Sequence, residues 1–448
     1  MTNSTDGDQN LVSWRSNARL RLALLLAFHI LMCCLSLIFV AAFYPKLQVV
    51  MFDKTHLFEA VLNVALFATV SAVFIFGRFS FGYFLGFYFY TMILGYLWIV
   101  EFSRFHYDHR LSAISAFAAA VAFLVPALFV DSPIRQRYVL SAPALDQLLT
   151  VILMVSAAVV ATGAFHHFRL VGVEDIYNFR DEIEFPAWLR YATGATSNTL
   201  LPFAFACFVA RGDRWRAAIA LLLLVLFYPV TLTKLVLFAP FWLMFLVLLS
   251  RFVEARISVV LSLLLPLLFG NLLGLPVEAG AFPYERVMYY FGSINFRMIA
   301  FPSVALDVYS DFFSTHAHTY FCQISFLKPF VGCPYDEYLS IVMEKAYQLG
   351  NLNASLFATE GVASVGPMLA PLAALACGLV IALGNRLSSG LPARFILLSG
   401  GLFPQILLNV PLTTTLLTNG AALLFLLWYV MPRALFDGSA AMPVEPSP

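Results

Sequence analysis

Between Pro276 and Glu360 runs the longest stretch of the chain that is neither strongly apolar nor a short turn, and most residues able to do chemistry lie in it. Thr315-His316-Ala317-His318 sets two imidazoles two positions apart, on one side of an extended segment. Histidine changes charge near neutral pH, so His316 and His318 can serve as a proton acceptor and its partner. The same spacing also suits a hydrogen-bonded structural pair. Arg286 and Arg297 flank Met288-Tyr289-Tyr290-Phe291. Cations beside aromatic faces suit a sugar-phosphate pocket and equally an interfacial belt at headgroup level. Cys322 and Cys333 lie in the same stretch and can pair if it faces an oxidising compartment.

A second polar stretch, Phe165–Arg190, carries Arg169, Arg180 and Arg190 among Glu174, Asp175, Asp181, Glu182 and Glu184. Guanidinium groups keep their charge and grip phosphate oxygens through a planar fork, although Arg180 and Arg190 can instead pair with the local carboxylates. His166-His167 near Glu174-Asp175 fits no zinc spacing, and no metal is expected. Lys234 stands alone between two apolar runs, and an ionisable residue so placed is a functional candidate. Its bland alternative is a side chain that snorkels to the headgroups. Together these residues suit one kind of chemistry, in which cations hold a phosphorylated group while a base removes a proton.

The elements that must position them are membrane helices. Hydrophobic residues make up 61% of the 448 and charged ones 11%, against roughly 45–50% and 25% in soluble domains. That excludes a soluble enzyme, and a net charge of +1 gives no reason to expect nucleic acid. With roughly 20 apolar residues per crossing, the chain reads as one all-α polytopic membrane domain over residues 1–448. About twelve spans begin at Leu20, Leu57, Phe79, Leu111, Ala144, Ala192, Ala217, Leu235, Ile257, Val362, Leu391 and Leu412. Arginines crowd the short even-numbered turns and the N-terminal segment, which puts both termini in the cytoplasm and the loops 165–190 and 276–360 on the opposite face. Spans seven and eight read as a hairpin of about 15 residues per arm, too short to cross without thinning the bilayer, so Lys234 at its tip is expected below the outer surface. Cys33, Cys34, Cys207 and Cys377 fall inside apolar spans and need no special role.

The large loop closes with Gly350-Asn351-Leu352-Asn353-Ala354-Ser355-Leu356-Phe357-Ala358-Thr359-Glu360-Gly361 and continues to Gly366. Here the chain resembles bacterial O-antigen polymerases and ligases, the Wzy-like oligosaccharide repeat-unit polymerases. In them the last large periplasmic loop ends in an Asn, a short apolar stretch, an acidic residue and spaced glycines. Asn353, Glu360, Gly361 and Gly366 match in order. The ligase branch usually has a His immediately before the Asn, and this chain has Leu352. The resemblance implies a GT-C-like helical fold in a bacterial inner membrane. It also implies an inverting, metal-independent glycosyltransferase without cofactor, acting on undecaprenyl-diphosphate-linked donor and acceptor glycans among membrane lipids. A chain-length regulator is the further partner it implies.

On that reading Lys234, Arg169, Arg180, Arg286 and Arg297 hold the diphosphate, and His316, His318 or Glu360 takes the acceptor proton. Tyr289, Tyr290 and Tyr320 stack on sugar rings, with Asn353 beside the glycan. Rival readings are an O-antigen ligase, a transferase of single sugars, against which the lone Asp53 after the first span argues, and a flippase of the lipid-linked glycan. A flippase would place charges within several helices, and these spans are nearly free of them apart from Glu59.

Overall fold

The computed structural model describes residues 5–43, 49–172, 175–176, 179, 183–278, 284–324 and 326–436. Among them the fold is helical throughout, with one isolated bridge between Val50 and Ser103. The main helices are α1 Thr5–Phe43, α2 Leu57–Ala68, α3 Phe81–Ile99, α4 His109–Phe129, α5 Ala142–His166 and α6 Leu201–Arg211. They continue as α7 Arg214–Thr231, α8 Lys234–Phe252, α9 Ala255–Glu278, α10 Tyr284–Ser293, α11 Phe301–Thr315 and α12 Ser364–Ser388. Nine helical stretches among the described residues are long and apolar enough to cross a membrane. The protein is therefore membrane-embedded.

Three stretches expected as uninterrupted spans have another form. Residues 187–211 make a helix with a π-helical turn at Thr196–Leu200. The region 391–430 breaks into Ala393–Ser399, Phe403–Leu407, Leu412–Leu417 and Ala421–Val430. Gly400, Gly401, Pro404, Pro411 and a left-handed Gly420 punctuate it, which mean apolarity does not register. The hairpin arms α7 and α8 are 18 and 19 residues long, because the helices run past the apolar stretches to take in Arg214–Arg216, Thr231, Lys234 and Arg251–Phe252. At 1.5 Å per residue each rises about 27 Å, close to the hydrocarbon thickness. Nothing then forces Lys234 below the surface, contrary to the expectation from short arms.

The chain divides into two compact units. The first comprises Met1–Phe129, Arg256–Val380 and Leu407–Leu412, and its centre is α3. The crossing Phe81–Phe102 is 100% buried, against 22% for Lys54–Phe76, so one is the hub and the other peripheral. A helix apolar all round must be surrounded, and aromatic rings do this: Phe67 stacks on Tyr90 at 4.9 Å, and Phe89 meets Phe123 at 5.0 Å and Phe357 at 5.1 Å. Close approach comes from glycine. A methyl on Gly95 would lie 2.6 Å from Ser303 Oγ, so α11 packs directly on α3, where Ser303 also donates to the Met92 carbonyl at 2.9 Å.

The large loop is thus not loop-like over residues 284–315. It forms a helical stretch through α10, a π-helical turn at Phe296–Ala300 and α11. Buried Asn295 fixes its middle, donating to Ser36 Oγ at 3.1 Å and to the Leu267 carbonyl at 3.0 Å.

The second unit, Val130–Ala255, Ile381–Ile406 and Thr413–Pro448, assembles α5 to α8 with the short helices after residue 392. Indole donors pin those short pieces. Trp242 bonds the Gly401 carbonyl at 2.9 Å and Trp428 bonds Ser399 Oγ at 3.0 Å.

Candidate functional site

In the first unit α11 ends at Thr315, and the chain turns back through residues 316–324. Two backbone bonds attach this segment to the start of α12: Thr319 N–H donates to the Ala363 carbonyl at 2.8 Å and Tyr320 N–H to the Ser364 carbonyl at 3.1 Å. Side chains repeat the connection. Thr319 and Ser364 hydroxyls are 3.1 Å apart, and Gln323 Nε2 donates to Ser364 Oγ at 2.9 Å and the Thr359 carbonyl at 3.3 Å. Tyr320 and Phe321 adopt left-handed backbone, and Cys322 and Cys333, paired with Cα atoms 5.3 Å apart, close the turn behind them.

The other wall is a π-helical turn, Phe357–Ala363, that carries Glu360. Such turns are rare and recur at functional sites. Gly366, with φ +74° and ψ 170°, then redirects the chain into Pro367, a conformation only glycine holds without strain. The turn lies back against the helix it leads into, since a methyl on Gly361 would be 3.3 Å from Ala370 Cβ. Glu360 is 4% exposed and accepts the Thr359 hydroxyl at 2.6 Å.

His318 sits on Gly366: a methyl there would be 3.0 Å from Nε2. Its Nδ1 is buried without a hydrogen-bond partner among the described residues, as are Gln323 Oε1 and Ser355 Oγ. Each such atom costs roughly 1–3 kcal/mol, so the turn retains polar capacity at a price in stability. His316 is placed differently. Its ring stacks on Phe312 at 3.9 Å and its Nδ1 lies 2.9 Å from the Phe312 carbonyl, on the exposed side. Tyr320, 60% exposed, stands edge-on to His318 at 6.3 Å, and Asn353 is exposed nearby in sequence to the turn.

Within the first unit, Arg297, Tyr289 and Tyr290 do not gather at this turn. Arg297, its guanidinium 4.6 Å from the Phe301 ring, precedes the whole of α11, which sets it on the order of 25 Å along the helix from His316. Half-buried Tyr290 donates to the Pro266 carbonyl at 3.1 Å, and Tyr289 is exposed, at that same far end. Arg286 lies in α10, with its side chain outside the described part. Lys234 and Arg169 belong to the second unit, where the Arg169 N–H donates to the Pro229 carbonyl at 3.0 Å, five residues before Lys234. Arg169 also covers the Phe179 ring at 4.2 Å. Arg180 lies outside the described residues. Among the described residues no three potential ligands group as a metal site.

One constellation goes beyond the roles expected from the sequence. Asp307, fully buried on α11, accepts from Ser103 Oγ at 2.8 Å and from the Tyr107 hydroxyl. Tyr107 lies 3.2 Å from the Tyr96 hydroxyl. One turn on, Asp311 accepts the His106 N–H at 3.2 Å and the Tyr347 hydroxyl at 2.6 Å. Burial raises the Asp307 carboxyl from 3.8 to about 7. The Tyr107 and Ser103 hydrogen bonds oppose the rise, and the charge of Asp311 adds to it. The spacing Asp307–Asp311 was the only local signal, because the donors come from the far end of α3.

No family model, curated protein or solved structure matches this chain.

Proposed function

We propose that this protein is a membrane glycosyltransferase that lengthens glycans on undecaprenyl diphosphate, within a GT-C-like fold of about twelve spans whose catalytic face is periplasmic. What supports the reading most is the seating of His318 on Gly366, the last glycine of the motif that carries the resemblance to repeat-unit polymerases. The motif and an imidazole whose buried Nδ1 has no hydrogen-bond partner among the described residues occupy the same turn.

In the proposed step an acceptor sugar hydroxyl attacks the anomeric carbon of the donor. The bond from that carbon to the diphosphate oxygen breaks, the electron pair leaves with the diphosphate, and the hydroxyl proton passes to the His318 imidazole. Positioned base catalysis of this kind contributes about 10²–10⁴-fold. Glu360, held by Thr359, keeps the turn in shape, and exposed Tyr320 offers a face for a sugar ring. The charge of the departing diphosphate is the larger electrostatic demand of the step.

The test is purified protein incubated with lipid-linked repeat units. Longer glycan on the lipid is expected, with His318→Gln losing at least 100-fold in rate and His316→Gln retaining it. Movement of the lipid across the bilayer without lengthening, or wild-type rates for His318→Gln at normal folding, overturns the proposal.

A further inference from the structure

Two pairs of arginines in the second unit contrast. Arg211 and Arg216 both reach Asp146 Oδ1, at 3.0 and 2.8 Å, so their charge is already answered. Arg135 and Arg137, in the segment between residue 130 and α5, have no side-chain partner among the described residues. Yet the segment that carries them is firmly held. Ile134 N–H donates to the Arg386 carbonyl at 3.3 Å, Arg386 Nε to the Ser132 carbonyl at 3.1 Å, and Leu140 N–H to the Val430 carbonyl at 2.9 Å. Gln136 Nε2 donates to the Met431 carbonyl at 3.1 Å, and the Arg137 N–H to the Tyr429 hydroxyl at 2.9 Å.

Every one of these restraints uses backbone, Gln136 or Arg386, and none uses the guanidinium of Arg135 or Arg137. Arg386 and Arg433 add two more positive charges beside them. Arg433 donates to the Leu387 carbonyl at 3.0 Å, and its buried Nε has no partner among the described residues. No carboxylate pairs with any of the four among the described residues, and the one acid in the segment is exposed Asp131.

Ile134, Arg135, Gln136 and Arg137 line an open recess of about 560 Å³, a volume in the range of small-molecule sites. Directly beyond it Tyr138 and Val139 are 74% and 53% exposed, and then Ser141 caps the membrane-grade helix α5. On α5 Val151, Met154 and Val155 are exposed apolar residues. Cations in a preformed recess, an aromatic and an aliphatic side chain at its rim, and an apolar helix face below reproduce the profile of a phospholipid from headgroup to acyl chain.

We propose that this recess binds the phosphodiester headgroup of an anionic phospholipid, with the acyl chains lying along α5. A soluble phosphate would satisfy the arginines but would leave the apolar rim and helix face without purpose.

Native mass spectrometry of the full chain, stripped of lipid and titrated with phosphatidylglycerol or phosphatidylcholine, tests it. Each arginine near a membrane surface is worth about fivefold in affinity for anionic lipid, so Arg135→Gln with Arg137→Gln should weaken retention of phosphatidylglycerol tenfold or more. The Arg135→Lys, Arg137→Lys pair, which keeps the charge, should stay within a few-fold of wild type and shows that the segment still folds. Arg211→Gln with Arg216→Gln removes the same charge elsewhere and should change retention less than twofold. Equal retention of the two lipids, equal losses in both Gln pairs, or displacement of the lipid by millimolar inorganic phosphate overturns the assignment.

Discussion

Replacing Asp307 by Asn removes one ionisable group from a fully buried position and little else. Asn can still accept the Tyr107 hydroxyl, and its amide can donate to Ser103 Oγ, so both observed contacts have a counterpart. What changes is linkage to protons. In the unfolded chain the carboxyl ionises near 3.8, and in the fold burial holds it neutral to about 7. Below pH 4 both states are protonated and the group has no pH effect. Between pH 4 and 7 the folded state binds the extra proton, so stability falls as pH rises, and above 7 the full penalty persists. At about 1.4 kcal/mol per pH unit the difference amounts to about 4 kcal/mol. Thermal unfolding in detergent from pH 5 to 8 should therefore show wild-type Tm falling with pH and levelling off near 7. Asp307→Asn should show a flatter profile and the higher Tm at pH 8. The other ionisable groups around the network, Asp311, His106, His109, Tyr96 and Tyr347, are present in both proteins, so the difference between profiles isolates Asp307. Parallel profiles would refute the assignment of a neutral buried acid.

Two further perturbations address the turn that holds His318. Gly366→Ala forces a side chain into backbone that costs roughly 1–3 kcal/mol and sets its methyl 3.0 Å from His318 Nε2. It should lower Tm by several degrees and perturb the His318 imidazole resonance more than that of His316, and an unmoved His318 signal would contradict the packing. Removing the bridge by Cys322→Ser with Cys333→Ser frees a loop whose ends are 11 residues apart, worth about 3 kcal/mol in the unfolded-chain picture. Amide exchange should speed up over residues 319–324 while α3 stays protected, whereas unchanged exchange would show that the two backbone bonds to residues 363 and 364 suffice alone.

Much of the fold is written in apolar runs, because a helix that must satisfy its own backbone in lipid advertises itself by length and composition. The buried hub α3 is one such run, and so are α5 and α9. What composition conceals is where a polar side chain finds its partner. The stretch from Pro276 to Glu360 looks like a solvated loop, with its arginines, aspartates and histidines, yet α11 lies buried against α3. Asp307 scores as a surface residue because its donors, Ser103 and Tyr107, are 204 and 200 positions away. Gly366 reads as one small residue in an apolar run, and only its positive φ shows that the run turns there and brings Glu360 and the His318 segment to one turn. The cations show the converse. Arg297 and His316 share a loop in the sequence, but a helix between them is a rigid spacer, and adjacency along a chain becomes separation once that chain coils at 1.5 Å per residue. A hydropathy profile averages over neighbours in sequence, whereas a carboxyl, an imidazole or a guanidinium is fixed by neighbours in space. In a membrane protein these two sets diverge most at the few polar residues on which its chemistry depends.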